Sequence, residues 1–348
     1  MTTAVEASAP GKLFLIGEYA VLDGAPALLT AVDRRVHVRV ETARDGHWSL
    51  TAPNLGLDAI DLGAVASERP VFAADTEHKL AVFNAVRQEA ETTSGAPLDA
   101  AHVTIDSADF ARDGHKLGLG SSAAVASALY AALTHAAGLA LPRPALAEGA
   151  IRAHRRAQNG AGSGGDVATA VYGGLISYIR DADPIALAWP EDLVAFAVVT
   201  GTGASTPDLV GRVRDYATRE PERHAGDIAR LAELAETASS KLDDSAGFLD
   251  LAASYFAALK TLDGHARAGI VCAQHLALAD VVASAGGVFK TSGAGGGDVG
   301  LVFVARGPNE QAVRQALAAT DAQIVDLAFG AAGVRIENAG TMAATQVR

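Results

Sequence analysis

The stretch "KLGLGSSAAVASALYAAL", Lys116–Leu133, places Gly118 and Gly120 ahead of Ser121 and Ser122, then runs into alanines with no helix breaker. Two readings fit it. In one, a serine caps a helix and the glycines only allow a tight turn. In the other, the loop cradles phosphate. The first N–H groups of a helix lack internal partners, and the helix dipole favours an anion there. Glycines would let the backbone approach phosphate oxygens, and the serine hydroxyls could bind phosphate or a metal ion.

The Walker pattern G-x-x-x-x-G-K-[ST] is absent from the chain. "GLGSSA" does fit the dinucleotide fingerprint G-x-G-x-x-A. That fingerprint requires a hydrophobic strand just before it and an acidic residue ending a second strand. Here "FARDGHK" precedes the loop and "GLALPRP" follows the helix, so neither condition is met.

The chain has 348 residues, more than one compact core usually takes, and this favours two domains. Composition changes around "DADPIALAWPEDL" (Asp181–Leu193), giving expected domains of 1–185 and 186–348. The net charge is −12 with no long basic run, which argues against a general nucleic-acid binder. A positive field for an anionic ligand must then be local, from loop amides and a few placed cations. Cys272 is the only cysteine, which excludes an intrachain disulfide and a cysteine-based metal cluster. "MTTAVEASAPGK" lacks the apolar segment of a signal peptide, and no stretch suggests a membrane span. The expectation is a soluble cytoplasmic protein with no membrane partner, a monomer or a homodimer.

Along the chain, "KLFLIGEYAVL" (Lys12–Leu22) reads as a buried strand running into a loop. "RRVHVRVE" (Arg34–Glu41) alternates at period two, as a half-solvated strand does. "AHVTID" (Ala101–Asp106) is a short strand, and 121–137 and 145–158 are helices. A helix and a strand are expected after "NGAGSGG" (Asn159–Gly165), then a strand at Leu193–Gly201 and a helical tract from Pro207 to Ser284. "GGVFKTSGAGGGDVGLVFVA" (Gly286–Ala305) reads as strand, glycine loop, strand; "AQIVDLAF" and "GVRIEN" are terminal strands.

Two further glycine loops carry candidate chemistry. Asp166 follows "NGAGSGG" at a helix start, where it is either an N-cap or a working carboxylate. "KTSGAGGGDVG" holds Gly293, Gly295, Gly296 and Gly297, more than a turn needs. Such density costs backbone entropy, and close approach to a ligand accounts for it.

"APGKLFLIGEYAVLDGAPAL", "KLGLGSSAAVASAL" and "KTSGAGGGDVGLVF" resemble, in order and spacing, the three motifs of the GHMP kinase superfamily. The resemblance covers nearly the whole chain. It implies an α/β (α+β) two-domain GHMP kinase fold. The N-terminal domain would be ribosomal-protein-S5-domain-2-like and the C-terminal domain ferredoxin-like, with the site between them. Gly17-Glu18-Tyr19 and the third loop ending Gly297-Asp298 look like the phosphomevalonate kinase family. Mevalonate kinases usually have Gly-Glu-His in the first motif and a magnesium-binding glutamate in the helix before the aspartate. The corresponding "RAHRRAQ" has Arg152, Arg155 and Arg156 and no acid. Arginine forks suit a phosphate-bearing substrate, although a solvated helix face explains most of such a cluster. Mevalonate kinase, and a non-catalytic nucleotide-binding regulator on the same fold, remain the alternatives.

The resemblance further implies ATP and Mg²⁺ as cofactors and mevalonate 5-phosphate as the small-molecule substrate. Gly118, Leu119, Gly120, Ser121, Ser122 and Ala123 would hold the ATP phosphates, with Ser122 reaching Mg²⁺. Lys12 would neutralise the transferring phosphoryl group, and Asp166 would pair with Lys12 and orient the acceptor. Tyr19, Lys116, Ser163, Ser205, Ser292 and Ala294 match substrate-contacting positions. Gly293, Gly295, Gly296, Gly297 and Asp298 form the third loop.

Overall fold

The computed structural model describes residues 4–65, 70–112, 115–199, 205–297 and 299–338. Its strands are β1 (Ala4–Ile16), β2 (Ala27–Thr42), β3 (His47–Ala52), β4 (Leu57–Ala64), β5 (Ala101–Asp106), β6 (Ala111–Arg112), β7 (His115–Lys116), β8 (Leu175–Tyr178), β9 (Ile185–Leu187), β10 (Leu193–Val199), β11 (Val288–Thr291), β12 (Val299–Ala305), β13 (Gln323–Val325) and β14 (Arg335–Asn338). Its helices are α1 (Ala74–Ser94), α2 (Ser121–Ala136), α3 (Arg143–Ala157), α4 (Gly165–Tyr172), α5 (Thr206–Arg219), α6 (Pro221–Thr237), α7 (Ser245–Ala266), α8 (Ala273–Ser284) and α9 (Pro308–Ala318).

One sheet runs β14-β1-β2-β5-β3-β4, with β8 and β9 added beside β2. A second runs β11-β12-β10-β13 and is antiparallel throughout, and β6 and β7 pair by themselves. The alternation in "RRVHVRVE" is realised: Val36, Val38 and Val40 are buried while His37 and Arg39 face solvent. The strand containing Lys12 begins at Ala4, well before the apolar run, because it is paired on both sides by β2 and β14. The final strand therefore returns to the first sheet. Arg35 fastens that return, donating to the carbonyls of Ala332 (2.8 Å) and Gly333 (2.9 Å).

Helix α2 is the pivot of the first layer. Ala123, Ala124, Ala126, Ala128, Ala131 and Ala132 are fully buried, and the helix packs on α1, α3, α4, β1 and β2. Small side chains let these elements close in without voids. The approach of α3 is close enough that a Cβ at Gly149 would lie 2.2 Å from the Tyr130 hydroxyl. No helix among the described residues is long and apolar enough to cross a membrane.

Arg152, Arg155 and Arg156 of α3 are engaged by other groups of the chain. Arg152 (2.7 Å) and Arg156 (3.1 Å) both pair with the buried Glu89 of α1. Arg155 binds Asp181 at 2.8 Å and the Ser163 carbonyl. Their work is to dock α3 on α1 and to brace the loop before α4.

In the second layer, His275 at the start of α8 is fully buried, and its Nδ1 accepts the Cys272 N–H at 3.2 Å. Burial pushes this imidazole down to about 4 from an ordinary 6.5. A depressed histidine contributes stability above the unfolded value, and loses it as pH falls from 6.5 towards 4. Protonating Nδ1 would also evict the Cys272 N–H. Unfolding free energy should drop by about 3 kcal/mol across that window. His275→Gln, which can still accept from Cys272, should flatten the slope in denaturant titrations at pH 7, 5.5 and 4.

Candidate active site

The amino end of α2 is capped by Gly120, not by serine, and no side chain caps it. Ser121 and Ser122 are the first helical residues. Gly118 and Gly120 are both left-handed, with φ of 66° and 77°. At Gly120 a side chain is excluded twice over. The φ disfavours it, and its Cβ would lie 2.6 Å from Lys12 Cε. The Lys12 N–H donates to the Leu119 carbonyl at 2.9 Å, so the loop is stitched to β1. Lys12 is 8% exposed, with Nζ 5.2 Å from the Phe14 ring centroid.

A cavity of about 620 Å³ lies where this helix end, β1, the loop before α4, the start of α5 and the third glycine loop meet. It gathers Lys12, Tyr19, Lys116, Gly118, Leu119, Gly120, Ser121, Ser122, Ser163, Asp166, Gly293 and Ala294 from the sequence-derived set. Asp166 sits in the first turn of α4, whose N-cap is Gly164, and its Oδ1 accepts the Val167 N–H at 3.1 Å. It shares the cavity with Lys12. The Ser163 hydroxyl accepts the Gly165 N–H at 3.2 Å, fixing the loop that aims Asp166.

Several sequence-derived residues play other parts. Ala123 is fully buried in the core, and its N–H is used by the Gly120 carbonyl, so it does not line the cavity. Ser292 also lies outside the lining. Its hydroxyl accepts the Phe14 N–H and donates to the Phe14 carbonyl, both at 3.0 Å, tying the third loop to β1. Ser205 is exposed at the N-cap of α5; its neighbours Thr206 and Pro207 line the cavity instead. The glycine excess in the third loop serves another segment of the chain more than a ligand. A Cβ at Gly295 would lie 2.3 Å from the Ile270 carbonyl, which also accepts the Gly296 N–H. Gly297 does not line the cavity, and Asp298 lies outside the described residues.

Tyr19 is a tether more than a free hydroxyl. Its φ of 64° and ψ of −55° are rarely adopted by L-residues. The OH donates to the Ala294 carbonyl at 2.6 Å. Burial, with Asp263 and Glu18 nearby, pushes the phenol well above its usual value. Beside it, the buried Lys290 donates to Glu18 and to the Thr291 carbonyl, and Tyr255 donates to the Glu18 carbonyl at 2.9 Å. Burial drives Glu18 up and Lys290 down, and each charge opposes the other's shift. This pair links the first motif to the strand that launches the third loop.

Sequence reasoning missed this pair; a lysine inside the apolar strand "VFKT" was its signal. It also missed His154, whose Nε2 lies 3.0 Å from Ser122 Oγ and 3.2 Å from Gln158 Nε2. Gln158, Asn159, Val210 and Arg214 line the cavity and carry no motif that announces them. Gly120→Ala should displace Lys12, lowering kcat about a hundredfold and costing about 1–2 kcal/mol of stability. Steady-state kinetics alongside a thermal melt would check both.

An amide-lined helix end, a lysine and a carboxylate in one cleft suit phosphoryl transfer. Residues 80–174 match the family model for the N-terminal domain of GHMP kinases. The chain is 30% identical over 333 residues to the phosphomevalonate kinase of a Streptomyces species, covering 85% of this chain and 88% of that one. It is 29% identical over 255 residues to the mevalonate kinase of Pyrococcus abyssi, covering 72% and 74%. The fold matches Streptococcus pneumoniae phosphomevalonate kinase in complex with phosphomevalonate and AMPPNP. The TM-score is 0.78 at 18% identity, over 93% of this chain and 99% of that one. With the amino end of α2, Lys12 and Asp166 around one cavity, the chain belongs to the GHMP kinase superfamily of phosphotransferases.

Proposed function

We propose that this chain is an ATP-dependent phosphomevalonate kinase. It would transfer the γ-phosphoryl group of ATP to the phosphate of mevalonate 5-phosphate, giving the 5-diphosphate on the mevalonate route to isoprenoids. The observation that carries the reading is the single cavity in which the phosphate loop, Lys12 and Asp166 meet Lys116 and Ser163. The similarity to the Streptomyces enzyme over most of both chains supports it.

In this mechanism the first-turn amides of α2 hold the nucleotide phosphates. Lys12 lies over the transferring group and offsets developing charge. Lys116 and Ser163 receive the acceptor's phosphate, whose second pKa is around 6, so it is largely ionised at neutral pH. Asp166 then orients the acceptor and has little need to act as a general base.

The site fits Mg²⁺ in a limited way. Ser122 Oγ would hold it, with phosphate oxygens and water completing the shell. Among the described residues no group of three His, Cys, Asp or Glu is placed to hold a metal without a nucleotide. Bound with ATP, the ion would neutralise phosphate charge. The neighbour of Ser122 on α3 is His154 and not an acid, which favours this reading over mevalonate kinase.

ADP release with ATP, Mg²⁺ and a panel of acceptors tests the proposal. Turnover with mevalonate 5-phosphate and none with mevalonate is expected. Turnover with mevalonate alone would overturn it.

A further inference from the structure

Besides Lys12 and Lys116, the cavity has a cationic group that no motif marks. Thr206, Pro207, Val210 and Arg214 of α5 all line it, at the spacing of one helical face. From Thr206 to Arg214 this face runs about 12 Å along the wall. The same cavity is lined by the apolar side chains of Val210 from α5 and of Val21 and Leu22 from the turn after β1. Arg214 is exposed at the end of the face. Its backbone carbonyl accepts from Thr218, and among the described residues its guanidinium has no ion-pair or hydrogen-bond partner. By contrast, Arg212, one position on the other side of Val213, is spent on the Ala268 carbonyl at 2.8 Å.

The chain carries a net charge of −12, so a spare guanidinium on a ligand-sized cavity is a directed feature rather than part of a general basic surface. An arginine fork matches a carboxylate in plane and charge. The lining thus combines the amide-bearing helix end, apolar side chains and one arginine fork.

We infer that Arg214 binds the carboxylate of the acceptor and so selects, within the kinase site proposed above, acceptors that are branched hydroxy acids over the corresponding neutral-ended alcohols or phosphates. The apolar wall of Val21, Leu22 and Val210 would take the branched carbon skeleton. Both candidate acceptors, mevalonate 5-phosphate and mevalonate, carry this same carboxylate. The inference therefore stands or falls separately from the choice between them.

The test pairs each acceptor with its analogue lacking the carboxylate. These are 3-hydroxy-3-methylbutyl phosphate for mevalonate 5-phosphate, and 3-methylbutane-1,3-diol for mevalonate. Whichever acceptor the wild-type enzyme uses, kcat/KM should exceed that of its truncated partner by about thirtyfold, the worth of a charged hydrogen-bonded contact. In Arg214→Met this ratio should collapse to within about threefold, mostly through a raised KM for the carboxylate-bearing acceptor. Arg214→Lys should recover part of the ratio. Equal losses on both acceptors in Arg214→Met, or an unchanged ratio, would overturn the inference. So would a wild-type enzyme that turns over only acceptors without a carboxylate. A preference for mevalonate, with its ratio still collapsing in Arg214→Met, would overturn the phosphomevalonate assignment and leave this inference standing. A melting curve of Arg214→Met checks folding, which an exposed side chain should not disturb.

Discussion

Lys12→Met should lower kcat by about three orders of magnitude, the size of effect expected when a preorganised donor to developing charge is removed. The fold should survive. The lysine stem packs over Gly120, and its Nζ lies near the Phe14 ring, surroundings that a methionine of similar length can occupy. The Lys12 backbone still donates to Leu119, so the phosphate loop keeps its seat. Since the lost interaction belongs to the transition state, kcat and kcat/KM should fall together and nucleotide affinity should change little. Single-turnover phosphoryl transfer with separately measured nucleotide binding would show this. Near-wild-type turnover would remove Lys12 from the role assigned to it.

Asp166→Asn should cost about a hundredfold in kcat, the price of a misoriented acceptor. The amide oxygen of asparagine can still accept from Val167, so the start of α4 is preserved. The informative readout is the pH profile. With a phosphate as acceptor, the acidic limb of kcat/KM reflects the acceptor's own second ionisation near 6. That limb should therefore persist in Asp166→Asn. If the carboxylate were an obligatory base for an alcohol, the limb would vanish and the loss would be far larger.

Much of the site could be read from the sequence because glycine and serine placement constrains backbone directly. "LGLGSSA" could be recognised as a helix end built for an anion because Gly118 and Gly120 stand just before an unbroken alanine run. Short-range alternation revealed β5 and the second half of β2 for the same reason: period two needs no distant partner. Elements whose burial depends on distant partners were harder. The first half of β1, "AVEASAP", has small residues and a proline, and is a strand because β2 and β14 flank it. Helix α1 is polar enough to look solvated, yet it buries Glu89 against two arginines of α3. Side-chain roles were lost in the same way. Nothing near Ser292 in sequence reveals that its hydroxyl is spent on Phe14, 278 residues away. Nor does "GRVRD" say that Arg212 is occupied while Arg214 meets the cavity.

The pairing of β14 with β1 bears on how the molecule is made. The strand carrying Lys12 gains one of its two partners early, from β2, and the other only after residue 338 has been synthesised. Until then the β1 edge along Val5–Ser8 is an unpaired template on a nascent chain. The first layer thus cannot finish folding on the ribosome ahead of the second, and the contacts that complete it are among the longest-range in the chain. Slow synthesis of the stretch between β13 and β14 would prolong the exposure of that edge, so aggregation during expression should respond to translation speed there.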